Sequence, residues 1–378
     1  MFPSRVTHVH SPRLFGLDFL RALAIGAVVV SHGFSFLMPH LPWWCGFLGH
    51  SGFYGVELFF ALSGFLIGSL LIRTGSALAQ PDRLVTFYIR RWFRTLPLFW
   101  LFIGFQILLE LGLRNRHLSY SEIVQHAFFL RNFNALKITF FPESWSLAVE
   151  EWFYLLFPAL LWLGLRSVTR FNFAFLSVVG TFFLFSTIAR MIEASHPYAH
   201  WPDWQRELVI LRFDALMVGV FAAWISVNYP RAWYGSRWLV GALGVAILFA
   251  MYASLWRITD HHLEWSADSY FARTFRFNLV SLGFAMLSPS LLPGNWCAKP
   301  SPRPQFGALL SGHTLFISFT SRFSRWCRST RQRGGPVHSF KAWLLHLCNL
   351  PQLSQSARFS IAIMNRAAPI CANASLPR

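Results

Sequence analysis

Long apolar runs broken by short polar stretches set the rhythm of this chain. A helix needs about 20 predominantly apolar residues to cross the hydrocarbon layer of a bilayer. Runs of that kind fall at roughly 14–37, 53–72, 96–112, 145–165, 172–191, 208–227, 238–256 and 275–293. The pattern predicts an all-α fold, a polytopic transmembrane helical bundle with about eight recognisable spans. From about Trp296 the rhythm stops, and the sequence turns Arg-, Ser- and Pro-rich with no clear apolar run.

Composition agrees with the pattern. Of the 378 residues, 54% are hydrophobic and only 13% charged, where soluble domains carry about 25%. A net charge of +18 invites a nucleic-acid partner, but its distribution argues against one. No Asp or Glu follows Asp268, and residues 296–378 alone hold two Lys and nine Arg. Most other basic residues sit in short loops beside apolar runs, where they mark the cytoplasmic side. The stretch Arg73 to Arg94 carries Arg73, Arg83, Arg90, Arg91 and Arg94 against Asp82, and residues 38–52 carry no Lys or Arg. That contrast places 73–94 in the cytoplasm as a loop, 38–52 outside, and the N-terminus inside. Arg114, Arg116, Arg131 and Lys137 in a longer outside loop run against the trend.

Three segments follow from these boundaries: a cytoplasmic N-terminus at 1–13, a membrane domain at 14–295 and a basic, acid-free tail at 296–378. The tail matches neither a membrane helix nor an acid-containing soluble domain. A shift of reading frame near 290–300 would produce it, and a basic segment drawn to anionic lipid is the alternative. Complete loss of acids favours the frameshift. Four of the five cysteines (Cys297, Cys327, Cys348 and Cys371) lie in the tail, with Cys45 alone before it, and no spacing suggests zinc or a disulfide framework. A cleaved signal peptide at Ala22 to Val30 lacks an A-x-A-like site. The aromatic stretches Pro39 to Trp44 and His196 to Trp204 suit the headgroup region, with a stacking surface for a sugar as the alternative.

Ionisable residues inside apolar runs carry the functional signal, because each costs about 2.5–3.5 kcal/mol at the bilayer centre on insertion scales. The first run holds Asp18, Arg21 and His32 in LDFLRALAIGAVVVSHG. On a helix Arg21 and His32 point within about 20° of each other and lie about 16 Å apart along the axis. Asp18, three residues before Arg21, can neutralise it. Alternatively, both ends of this stripe are interfacial. Glu57 lies in the second run, where Gly64 and Gly68 form a G-x-x-x-G packing step. Ser63 lacks the flanking glycines of a nucleophile elbow and is read as a packing or hydrogen-bonding serine. Arg90, Arg91 and Arg94 precede a run starting near Pro97, with Arg90 and Arg94 on one face. They suit either a topological anchor or an anionic ligand such as a phosphorylated cofactor. SWSLAVEEWFYLLFP brings Ser146, Glu150, Glu151 and Tyr154, and LRFDALMVG brings Arg212 and Asp214. One of the two glutamates could serve the helix N-terminus. Asp260, His261, His262 and Glu264 have metal-ligand types but fall in an interfacial loop, so no metal site is expected.

In this order, LDFLRA with the R-x10-H ending at His32, GVELFFALSGFLI, the R-R-x-x-R-x-x-P of Arg90 to Pro97, SWSLAVEEWFYLLFP and LRFDALMVG resemble the acyltransferase 3 family of membrane acyltransferases. The resemblance covers about residues 13–295. It implies a core of about ten helices in the bacterial inner membrane. It also implies transfer of an acyl group, usually acetyl, from cytoplasmic acyl-CoA to a hydroxyl of an envelope glycan or lipid-linked saccharide, as in lipopolysaccharide O-acetylation. Acyl-CoA is then a donor substrate, no cofactor is tightly bound, and the bilayer is a partner where nucleic acid is not. By the same resemblance Arg21 and His32 form the catalytic pair, Arg90, Arg91 and Arg94 the donor motif, and Glu150 or Glu151 the acidic position. Asp18 joins the catalytic set as the group orienting Arg21. Glu57, Ser146, Tyr154, Arg212 and Asp214 are further candidates for substrate contact or structure. The family's last helices, with an S-Y-x-x-Y-L-like stretch, have no counterpart, which would make this a truncated member without activity. A multi-pass transporter or flippase is the rival class, since buried ionisable residues also line solute paths.

Overall fold

In the computed structural model the expected apolar runs are helices. The structure describes residues 15–37, 48–113, 118–133, 140–168, 170–195, 203–260 and 270–291, all within the unit Met1–Arg322. The second unit, Phe323–Arg378, lies outside the described residues, as do the whole tail expected after 296, Arg114, Arg116, Lys137, and the stretch Pro39 to Trp44. Eleven α-helices occur among the described residues: α1 (Phe15–Leu37), α2 (Ser51–Thr74), α3 (Pro81–Leu113), α4 (Tyr120–Ala127), α5 (Trp145–Ser167), α6 (Phe171–Ala194), α7 (Asp203–Glu207), α8 (Phe213–Asn228), α9 (Pro230–Gly235), α10 (Arg237–Asp260) and α11 (Tyr270–Leu291). No strand occurs among these residues.

Each of the eight expected runs coincides with a helix, but two differ in kind from the rest. Six helices, α1, α2, α3, α5, α6 and α10, are long and apolar enough to cross a membrane. Helix α8 has 16 residues, about 24 Å of rise against a hydrocarbon layer of about 30 Å. Helix α11 has 22 residues but includes Arg273 and Arg276 near its start and falls outside the six. A second correction concerns 73–94. Only the single-turn helix Gly75–Ala79 separates α2 from α3, so the arginine motif lies within a 33-residue helix rather than a loop. Its rise of about 50 Å carries α3 beyond the hydrocarbon layer by about 20 Å.

Helix α2 is the centre of the bundle. Of its apolar window 83% is buried, against 22% in α3 and 11% in α10. A helix apolar on all sides must be covered on all sides, and α2 packs on α1, α8, α11 and α5. Close approach is achieved where side chains are absent. A Cβ at Gly64 would collide with the Leu216 carbonyl oxygen of α8, and one at Gly219 of α8 with the Ala61 carbonyl of α2. The G-x-x-x-G step is thus a packing seam, and its partner is α8. On the other side, Ser51 Oγ donates to the Ala27 carbonyl at 2.8 Å and Ser31 Oγ to the Gly49 carbonyl at 2.5 Å, fixing α1 antiparallel to α2. Peripheral helices expose apolar side chains such as Phe93, Leu101 and Leu108 on α3 and Leu239 and Phe249 on α10. Lipid suits such a surface and water does not.

The seam yields a direct test. Gly64→Ala should lower stability by about 1–3 kcal/mol through overpacking, despite alanine's better helix propensity. Gly104→Ala on α3, where nothing lies within 4 Å, should be neutral or stabilising. Thermal unfolding in detergent, read by circular dichroism, compares the two. Equal effects would mean that α2 and α8 do not meet at these glycines.

Candidate active site

Helix α1 buries one stripe, Leu17, Leu20, Arg21, Ala24 and Val28, and exposes Phe19, Leu23 and Val30. The helical period therefore carries Arg21 into the bundle, where its Nη1 donates to Asp18 Oδ1 at 3.1 Å. Arg21 comes within electrostatic range of Arg91 and Tyr154, which belong to α3 and α5. Arg91 lies over the Tyr154 ring, 3.7 Å from guanidinium carbon to centroid, a cation–π contact. Arg91 and Arg94 both act on the neighbouring carboxylates of Glu150 and Glu151. From α2, Ser63 Oγ donates to Glu150 Oε1 at 2.5 Å, and both residues are buried. Four helices thus deliver Arg21, Ser63, Arg91, Arg94, Glu150, Glu151 and Tyr154 to one place, with Asp18 behind Arg21. Three guanidiniums face three carboxylates, so the cluster is close to neutral as a set.

The chain is bent sharply to enter α5. Phe129 and Phe141 adopt positive φ of 58° and 45°, conformations unfavourable for bulky residues and common at functional sites. Both rings stack on Phe99 of α3, at 4.4 and 6.0 Å between centroids. The Phe141 carbonyl accepts from Ser144 Oγ at 2.8 Å, and the Phe129 carbonyl from Trp152 Nε1 at 3.1 Å. Aromatic stacking and these bonds hold the strained connection that sets the start of α5, and hence the depth of Glu150.

A second polar network occupies another part of the core. Arg212 pairs with Glu57 Oε1, and Ser281 Oγ donates to Glu57 Oε2 at 2.9 Å. Arg190 pairs with Asp214 at 2.7 Å and donates to the Leu211 carbonyl at 2.7 Å, the Thr274 carbonyl at 3.0 Å and Asn278 Oδ1 at 3.2 Å. Asn278 Nδ2 in turn donates to Thr187 Oγ1 at 3.0 Å. The Phe277 ring lies under both guanidiniums, 4.8 Å from Arg190 and 4.2 Å from Arg212. Here the charges are matched pairwise and tied to α2, α6, α8 and α11. The arrangement reads as structural.

The structure therefore divides the sequence candidates. Arg21, Asp18, Arg91, Arg94, Glu150, Glu151 and Tyr154 converge. Glu57, Arg212 and Asp214 form the separate network. Arg90 is exposed, so Arg91 and Arg94, rather than Arg90 and Arg94, share the inward face of α3. His32 is half-buried further along α1, and Ser146 is half-buried in the first turn of α5. His261, His262 and Glu264 lie outside the described residues. Sequence reasoning passed over Arg190, although an arginine in an apolar helix is a signal in itself. Asn278 and Ser281 gave none, being uncharged. It also passed over His126, buried on α4, whose Nδ1 lies 2.8 Å from the Glu122 carbonyl and whose pKa burial lowers.

Fold and cluster together define a polytopic membrane protein with a cluster of polar side chains buried among its helices. Comparison with known proteins gives the family. The family described as an acyltransferase domain matches residues 14–321, and the chain belongs to it. The match runs beyond residue 295. O-acetyltransferase OatA of Staphylococcus aureus is 32% identical over 202 residues, covering 49% of this chain and 30% of that protein. Putative O-acetyltransferase SACOL0978 of Staphylococcus aureus (strain COL) is 26% identical over 324 residues, covering 76% of this chain and 47% of that protein. The chain thus spans less than half the length of these curated relatives. No solved structure matches it significantly.

The structural network is tested by a double-mutant cycle. Asp214→Ala or Arg190→Ala alone should cost about 3–5 kcal/mol, because each strands a buried charge. The double replacement should cost clearly less than the sum of the two. Additive losses in unfolding measurements would show that the two residues do not pair.

Proposed function

We propose that the protein is an integral membrane acyltransferase that moves an acetyl or similar acyl group from acyl-CoA to a hydroxyl of an envelope glycan or lipid-linked saccharide. The observation that carries this reading is the convergence of Arg21, Arg91, Arg94, Glu150 and Tyr154 from separate helices, supported by the names of the two relatives. Loop charge supports a cytoplasmic N-terminus and an inner-membrane location.

In this reading Arg90, exposed on α3, meets the phosphates of CoA as a charge-assisted pair. Arg91 and Arg94 already share two carboxylates, so a phosphate beside Glu150 and Glu151 would be repelled. They suit the uncharged thioester end, whose carbonyl oxygen gains negative charge as it reacts. Preorganised guanidiniums stabilise that charge far better than water does, and Arg21, oriented by Asp18, adds a third. His32 lies about 16 Å along α1 from Arg21, toward the opposite end of the bundle. There it acts on the acceptor, as general base for its hydroxyl or as transient acyl carrier. An imidazole suits either role, since its ordinary pKa lies near 6.5.

Two replacements separate these roles. Arg91→Gln with Arg94→Gln should weaken acyl-CoA binding while membrane insertion persists; unchanged binding would leave them as structural partners of Glu150 and Glu151. His32→Ala should reduce acyl transfer to isolated envelope glycan at least ~10²-fold, with acyl-CoA binding retained. A wild-type protein that never transfers label from acyl-CoA, but moves a solute across vesicles in a His32-dependent way, would be a transporter.

A further inference from the structure

Ser63 and Tyr154 belong to the cluster, yet the proposed reaction assigns neither a part. Several hydroxyls in the bundle bond to their own backbone four residues back: Ser69 to the Phe65 carbonyl, Thr74 to Leu70, Thr95 to Arg91 and Thr181 to Ser177. Ser63 instead crosses to another helix and donates to a buried carboxylate at 2.5 Å, as Ser281 does to Glu57 at 2.9 Å. A hydroxyl held against a base, within a water-poor interior, is the arrangement of an activated nucleophile. Around it stand the cations Arg91 and Arg94 beside Glu150, and the buried Tyr154 hydroxyl, within hydrogen-bonding range of Ser63 and Glu150.

Depth supplies an independent argument. Gly55 of α2 packs against Ala24 and Val28 of α1, so eight residues further down α2 the antiparallel register sets Ser63 level with the Asp18–Arg21 turn. A thioester held by Arg21, Arg91 and Arg94 is therefore beside Ser63, and about 16 Å short of His32.

We propose that Ser63 is a covalent acyl carrier, loaded from acyl-CoA with Glu150 as its base. The inference rests on the acyltransferase reading above. Ser63 Oγ attacks the thioester carbonyl carbon; the new C–O bond forms as the C–S bond breaks. The serine proton passes to the Glu150 carboxylate and from there to the departing thiolate, so acyl-CoA and serine give acyl-serine and free CoA. Once CoA has left, the acyl group is held on Ser63 at the donor depth, and its passage to the acceptor at His32 is a later, separate step.

The test is exchange of labelled CoA into acetyl-CoA by the purified protein with no acceptor present, together with peptide mass spectrometry of the acylated protein. Exchange and an acetyl group on Ser63 are expected in the wild type and in His32→Ala. Both should be lost in Ser63→Ala and fall at least ~10²-fold in Glu150→Gln, the scale of general-base catalysis. Ser63→Cys should regain acylation as a thioester released by neutral hydroxylamine, which no packing role for Ser63 explains. Exchange that persists in Ser63→Ala, label on another residue, or transfer to glycan with no exchange would overturn the carrier while leaving the acyltransferase standing. A folded wild-type protein that neither exchanges nor transfers would overturn both.

Discussion

An ion stripped of water inside a bilayer has no cheap neighbour except an opposite charge, and the interior of this bundle is organised by that fact. Losing hydration costs several kcal/mol per ion, so a buried charge is tolerated only with a partner in good geometry. In this protein the partners sit on different helices. Glu57 is on α2 and Arg212 at the start of α8; Arg190 is on α6 and Asp214 on α8. Pairing therefore fixes the register of one helix against another. Ser281 and Asn278 extend the same bonds to α11. The glycine seam between α2 and α8 lets the backbones approach closely enough for these pairs to form, and dispersion forces at that distance do what hydrophobic exclusion cannot do in lipid.

Set beside that network, the cluster around Glu150 is built differently. Glu57 is held pairwise by Arg212 and Ser281, whereas Ser63, Tyr154, Glu150 and Glu151 crowd together around Arg91 and Arg94. So dense a buried cluster of polar groups calls for an explanation. Chemistry is the simplest one here. On the proposed function, a site that binds a thioester and stabilises a transient oxyanion gathers hydrogen-bonding groups in this way, and the strain at Phe129 and Phe141 is a cost carried beside it. On that reading the pairwise network serves stability and the crowded cluster serves reactivity.

Much of this was legible in the sequence because the membrane amplifies two signals, length of apolar run and presence of charge. All eight runs became helices, and Arg21, Arg91, Arg94, Glu150 and Glu151, each singled out in the sequence, lie close together in the structure. The misreadings have a common origin. The 73–94 stretch looks like a loop because its charges interrupt an apolar window, yet charge does not break a helix, and α3 begins at Pro81. Grouping Arg90 with Arg94 by their spacing of four ignored which side of α3 the bundle occupies. Asn278, Ser281 and the role of α11 were invisible because uncharged polar residues are common in apolar helices and carry no insertion penalty large enough to demand a partner.

The geometry of α1 then constrains what kind of enzyme this can be. Arg21 and His32 lie on one face, with their backbone positions about 16 Å apart along the axis. A one-centre mechanism would need them adjacent. Separation along the membrane normal is instead what a vectorial reaction requires, with the donor handled at one depth and the acceptor at another. Water must be kept from the acyl group between the two, because hydrolysis competes with every transfer. A bundle whose central helix is 83% buried, and which places its donor-side groups on four helices around that centre, meets this requirement. On the proposed function, the stripe on α1 holds two stations on one path.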